Sequence, residues 1–166
     1  MVLDFRDLSR RELIIGAAGV ALLVILFVPD WYAVRAEGIL DHDLNRTVTR
    51  EVDARNAFGA FTFLDIGLLA TAIAAIGFPL VSAVRPELGL GRWPALAVAA
   101  LAVAAAILIA LRLIDPPDLA GSIDGERIRV SDFPGTDVIR KAGAWLGLAA
   151  SGVIALAAGL EARKRS

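Results

Sequence analysis

The chain has no cysteine and only one histidine. The first absence excludes disulfides, thiolate nucleophiles, iron–sulfur clusters, covalently attached haem and cysteine-ligated zinc. The second excludes any site that needs two imidazoles. An excess of one charge sign is lacking too. The 17 Lys and Arg face 18 Asp and Glu, so no basic surface is expected and nucleic acid is not an expected partner. Charge as a whole is scarce, at 21% of 166 residues, whereas 57% are hydrophobic. Soluble domains run nearer ~45–50% apolar. With a mean hydropathy of +0.68, the composition is that of an integral membrane protein whose first partner is the lipid bilayer.

Uncharged runs locate the spans, because a hydrocarbon core of ~30 Å takes about 20 apolar residues in a helix. Leu13–Pro29 is uncharged for 17 residues, Trp93–Leu111 for 19 and Ala142–Leu160 for 19. Ala57–Val84 runs 28 residues with one charge, Asp65. The fold class expected is all-α: a single domain, residues 1–166, forming an antiparallel bundle of four transmembrane helices over 13–29, 57–84, 93–111 and 142–160. Arg10 and Arg11 before the first run resemble the start of a signal peptide. No small-x-small cleavage pattern follows, so the run reads as a retained signal anchor.

Orientation follows from where the basic residues lie. With both termini cytoplasmic, 8 Lys and Arg fall inside and 9 outside, so a raw count is indecisive. The inside set, including Arg10, Arg11, Arg163, Lys164 and Arg165, crowds onto short segments beside the spans, as the positive-inside rule weights them. The two outer loops, 30–56 and 112–141, hold 12 acids. The location expected is a bacterial inner membrane, multi-pass, with both termini in the cytoplasm.

Helix ends agree with these boundaries. Ser9-Arg-Arg-Glu12 has capping-box spacing. Asn56 and Thr136 are expected as N-caps of the second and fourth spans, and Pro94 falls where a missing N–H is harmless. Trp31 and Tyr32 at one membrane face, and Trp93 at the other, read as aromatic belts. Pro79 is expected to kink the second helix. Met1–Ser9 mixes apolar and charged residues and reads as an interfacial lead-in.

Both outer loops carry strand-like stretches, Trp31–Arg35 and Thr47–Val52 in the first and Ile123–Val130 in the second. The last contains Asp124-Gly125, a two-residue hairpin signal, bracketed by Pro116-Pro117 and Pro134-Gly135. A small extracytoplasmic antiparallel sheet over the outer end of the bundle is expected.

Few residues can carry chemistry. Asp65 lies about nine residues inside the outer end of its span. A carboxylate at depth costs roughly 2.5–3.5 kcal/mol on insertion scales, so it should face the bundle interior with a partner or a proton. Arg112 and Trp145 are the expected partners at similar depth, with Thr62 one turn before it. The cluster reads as a polar clamp between helices, with a proton or cation relay as the alternative. Asp41-His42-Asp43 offers at most two ligands and reads as a solvated loop rather than a metal site. Asn45-Arg46-Thr47 matches a glycosylation sequon, a tripeptide that recurs by chance. No catalytic residue, cofactor or metal is expected, and the protein is not read as an enzyme. Packing signals are clearer: Gly143, Gly147, Ser151, Ala155 and Gly159 repeat every fourth residue along the last span. Such small-xxx-small stripes let backbones approach closely, within one chain or at the seam of a homo-oligomer.

Four segments carry a resemblance: Phe27-Val-Pro-Asp-Trp-Tyr32, Asn56-Ala-Phe58 with Asp65, Arg112-Leu-Ile-Asp-Pro-Pro117 and Gly143-Ala-Trp-Leu-Gly147. Over most of its length the chain resembles small four-helix membrane proteins of actinobacteria and related high-GC bacteria, and 15 Arg against 2 Lys suits such a genome. That resemblance implies a tetraspan fold and no activity. The layout is also similar to that of claudin-type proteins, at the level of architecture only, because the Trp…Cys…Cys signature is missing. Quinone-linked thiol oxidoreductases share the helix count but need the cysteines this chain lacks. The expected function is a membrane scaffold or accessory subunit, alone or in a larger complex. The alternative is a transporter or channel component using Asp65.

Overall fold

Ser9 starts the first helix. Its hydroxyl accepts from the Glu12 amide while the Glu12 carboxylate accepts from the Ser9 amide, a complete capping box, and α1 runs Arg10–Phe27. The computed structural model describes residues 8–41, 46–57, 64–84, 91–116, 120–123, 126–129 and 136–165. Three more helices follow: α2 Leu64–Val84, α3 Arg92–Ile114 and α4 Ala142–Lys164. Among the described residues, three helices are long and apolar enough to cross a membrane: Asp65–Val84, Arg92–Ile114 and Ala142–Lys164. Helix α1 is 18 residues long, and Arg10, Arg11 and Glu12 occupy its first turn, so its uncharged stretch is the shortest of the four.

The strands join the two long connections. β1 (Tyr32–Asp41) and β2 (Arg46–Arg55) come from the first, and β3 (Ala120–Ile123), β4 (Glu126–Arg129) and β5 (Thr136–Arg140) from the second. β1 is central in an antiparallel sheet of order β2-β1-β5, with Tyr32 opposite both Arg55 and Arg140. β3 and β4 form a separate hairpin in which Ile123 faces Glu126. The expected Asp124-Gly125 turn falls between the two strands and lies outside the described residues. Also outside them are Met1–Asp7, His42, Asp43, Asn45, Thr62, Pro117, Pro134 and Gly135.

One expected cap is corrected. Thr136 is the first residue of β5, and Lys141 takes the N-cap position of α4 without a side-chain capping bond. The reason is the edge of β1, which offers backbone partners to 136–140 and so draws them into the sheet. Asn56, directly before the helical Ala57, gives its side-chain N–H to the Phe27 carbonyl at 3.0 Å, satisfying an orphan acceptor at the end of α1.

The core has two parts. Around the middle of the bundle, and toward the end that carries the termini, Ile15, Leu22, Ala72, Phe78, Val98, Ala102 and Ile154 pack together. Toward the sheet, Leu26, Trp31, Tyr32, Val34, Leu68, Ile109 and Ala144 do so. Helix α1 meets α2 through glycine: a Cβ on Gly19 would lie 2.9 Å from the Ala75 Cβ, and one on Gly16 3.0 Å from Pro79 Cγ. Pro79 stays inside a continuous helix, and its ring serves as the surface against which Gly16 packs.

Candidate functional site

Trp31 corrects the aromatic-belt expectation at the sheet end. It and Tyr32 are fully buried, whereas Trp93 at the other end is 71% exposed. Pro29 and Asp30 turn the chain so that the Trp31 indole lies across the start of α4. A Cβ on Gly143 would lie 2.5 Å from Trp31 Cδ1, and one on Gly147 2.6 Å from Trp31 Cη2. The indole N–H donates to the Ile25 carbonyl at 2.8 Å. The backbone is held as well: the Trp31 amide donates to Arg55, its carbonyl accepts from Lys141, and the Asp30 carbonyl accepts from the Gly143 amide at 3.1 Å. The two glycines therefore accommodate an aromatic ring from the same chain rather than a neighbouring helix backbone.

The rest of the small-residue stripe does something else. A four-residue period on a helix of 3.6 residues per turn drifts by about 40° per step, so the stripe cannot keep one bearing. Ser151 is buried, and its hydroxyl has no hydrogen-bond partner among the described residues. Ala155 and Gly159 face a groove against α3.

At the sheet end the tips of the helices are tied down. Tyr32 donates its hydroxyl to the Arg112 carbonyl at 3.1 Å. Burial pushes this phenol up to about 12, against the opposing pull of Arg112 and Arg140, so it remains a donor at any physiological pH. Arg140 donates to the Leu113 and Ile114 carbonyls, placing a cation on the negative C-terminal end of α3.

Asp65 is 3% exposed and is the second residue of the described α2. Its Oδ1 has no hydrogen-bond partner among the described residues. Among the described residues no hydrogen bond or ion pair is seen between Asp65 and Arg112 or Trp145. Trp145 is 57% exposed, because it follows the buried pair Gly143 and Ala144 around the helix and turns outward. Thr62 lies outside the described residues.

A second polar constellation lies at the opposite end, where sequence reasoning saw only span boundaries. Glu12 and Glu161 are both buried. Arg165 Nη2 reaches Glu12 Oε1 at 2.7 Å, and its Nε reaches Glu161 Oε1 at 3.0 Å. Glu12 Oε2 accepts from the Ser9 amide at 2.7 Å, and Glu161 Oε2 accepts from the Ser9 hydroxyl at 3.3 Å. The circuit Ser9–Glu12–Arg165–Glu161 thus closes on itself. The Arg165 guanidinium also lies 5.3 Å over the Phe78 ring of α2, and Arg11 donates to the Leu160 carbonyl at 2.8 Å. Each element contributes for a local reason: Ser9 as a helix cap, and Glu161 and Arg165 as an i,i+4 pair at the C-terminal end of α4. All four carboxylate oxygens are engaged, so the cluster fastens α1 to α4, with Phe78 of α2 against the guanidinium.

Comparison with known protein families and with curated proteins gives no match to this chain.

Proposed function

We propose that the chain is a non-enzymatic, multi-pass protein of a bacterial cytoplasmic membrane that works as a scaffold or accessory subunit. In this reading all four helices cross the bilayer, α1 included, both termini are cytoplasmic, and the sheet stands outside as a platform. One observation carries it. The buried ionic groups at the termini end form a ring that joins α1 to α4, and each of its carboxylate oxygens has a partner within it. Arg140 and Tyr32 likewise serve to fix the sheet to helix ends. Polar side chains that fasten elements are what a rigid platform needs. The crowding of Arg10, Arg11, Arg92, Arg163 and Lys164 at the termini end supports a cytoplasmic position for that end. The kinship proposed is with the small tetraspan proteins of high-GC bacteria. The partner is a second copy or another membrane subunit.

The test is purification of the tagged full chain from native membranes in a mild detergent. A complex of fixed stoichiometry, homomeric or with another membrane subunit, is the result expected. Recovery as a bare monomer in every mild detergent contradicts the scaffold reading.

The unpartnered Oδ1 of Asp65 favours a second reading, a proton or cation path through the bundle. Asp65→Asn keeps the side-chain size and removes the charge. As part of a scaffold, the variant should fold and leave the proton permeability of reconstituted vesicles at the wild-type level. A wild-type flux that Asp65→Asn abolishes in a stable protein would establish the path and refute the scaffold.

A further inference from the structure

Between the start of α3 and the end of α4 lies an open groove of about 480 Å³. Its walls are Leu96, Leu156 and Leu160, its floor is Ala155 and Gly159, and Arg92 and Arg163 stand at its mouth. Leu156 is 70% exposed, so this surface is left apolar by the bundle itself. A Cβ on Gly159 would meet nothing within 4 Å, so the glycine there leaves the floor open where Gly143 and Gly147 are tightly covered. The arrangement has two chemistries in a fixed order: a channel of aliphatic side chains along the helices, then two exposed guanidinium groups at the end that carries the chain termini. Arg163 is free of the ion ring, whose carboxylates are turned inward and held by Arg165. Arg92 stacks 5.3 Å over the exposed Trp93 ring, an amphipathic residue suited to headgroup depth.

We propose that this groove seats one acyl chain of an anionic phospholipid, with the phosphate held between Arg92 and Arg163. The inference rests on the reading above that the bundle spans a bilayer. Charge complementarity selects the occupant. A second copy of this chain would bring the same two arginines to the same surface, and a zwitterionic lipid would gain less from them. Guanidinium groups match phosphate bidentately, and basic pockets between transmembrane helices at the cytoplasmic side are suited to acidic headgroups.

The test uses the full chain in detergent, titrated with phosphatidylglycerol or phosphatidylcholine and read by native mass spectrometry. Each arginine near the surface is expected to contribute about fivefold, and the pair about thirtyfold, to the preference for the anionic lipid. Arg92→Gln with Arg163→Gln should therefore level the two lipids while leaving weak binding of both. Gly159→Leu fills the floor without a clash and should reduce binding of both lipids while the helix content and melting temperature hold. Equal binding of the two lipids by the wild type, or a preference that survives both variants, would overturn the proposal. So would a detergent-stable dimer that binds no lipid and dissociates on Gly159→Leu, since the second copy would then own the groove. Extraction of the chain from native membranes by alkaline carbonate would refute the spanning reading instead. A carbonate-resistant chain without lipid preference would refute the groove alone.

Discussion

Trp31→Ala is expected to destabilise the protein by about 3–5 kcal/mol, the range for truncating a large buried aromatic. The ring is fully buried and fills the notch over Gly143 and Gly147, so its loss opens a cavity that the helices can close only by shifting the start of α4. The Ile25 carbonyl loses its indole donor at the same time, which adds about 1 kcal/mol. Gly147→Leu attacks the same contact from the other side, because its Cβ would lie 2.6 Å from the indole. It should cost about 1–3 kcal/mol or more by overpacking. The two changes share one space, so the double variant should be less destabilised than the sum of the singles. Thermal melting in one detergent checks all three. A Trp31→Ala variant that melts with the wild type, or strict additivity in the double, would mean that the indole is not the wedge between α1 and α4.

Arg165→Leu is expected to cost about 3–5 kcal/mol, as when one partner of a buried ion pair is removed. The guanidinium is the only cation in the ring, and its loss would leave the Glu12 and Glu161 carboxylates buried without a counter-charge. Arg165→Lys should recover part of the loss only, since a single ammonium lacks the fork that reaches both acids. Adding Glu12→Gln and Glu161→Gln to Arg165→Leu should restore much of the stability, because the unpaired charges go with the cation. The melting temperatures of these variants, measured together, check the account. No rescue by the two glutamines would show that Arg165 matters through its contact with Phe78 and not through the acids.

The four helices were legible because each lies on a long uncharged run, and those runs are visible without any neighbour. The pairing of β3 with β4 was legible for a similar reason, since the hairpin signal is local. Ser9 and Glu12 were read correctly as a cap, and their second role was hidden. Ser9 and Glu161 are 152 positions apart, and Glu12 and Arg165 are 153, so only the closed bundle reveals the ring. The i,i+4 pair Glu161 and Arg165, placed after 19 uncharged residues, was the one available signal. Trp31 misled because an aromatic residue just beyond an apolar helix suits an interface as well as it suits a core. Its burial depends on the glycines of α4, far along the chain. β5 was missed because Thr136-Asp-Val-Ile-Arg140 is short and ends at a helix, so its strand character comes from the waiting edge of β1. The every-fourth-residue stripe was visible, but its drift around α4 splits it between a buried ring contact and an open groove.

The central claim is that the sheet and the two termini lie on opposite sides of a membrane. Single cysteines at Ser122, in β3, and at Ser166, in a chain with no native cysteine, test it with an impermeant thiol reagent on intact cells. The account predicts labelling at Ser122→Cys in intact cells and at Ser166→Cys only after permeabilisation. Labelling at Ser166→Cys but not at Ser122→Cys in intact cells would invert the topology, and equal labelling of both would contradict it outright.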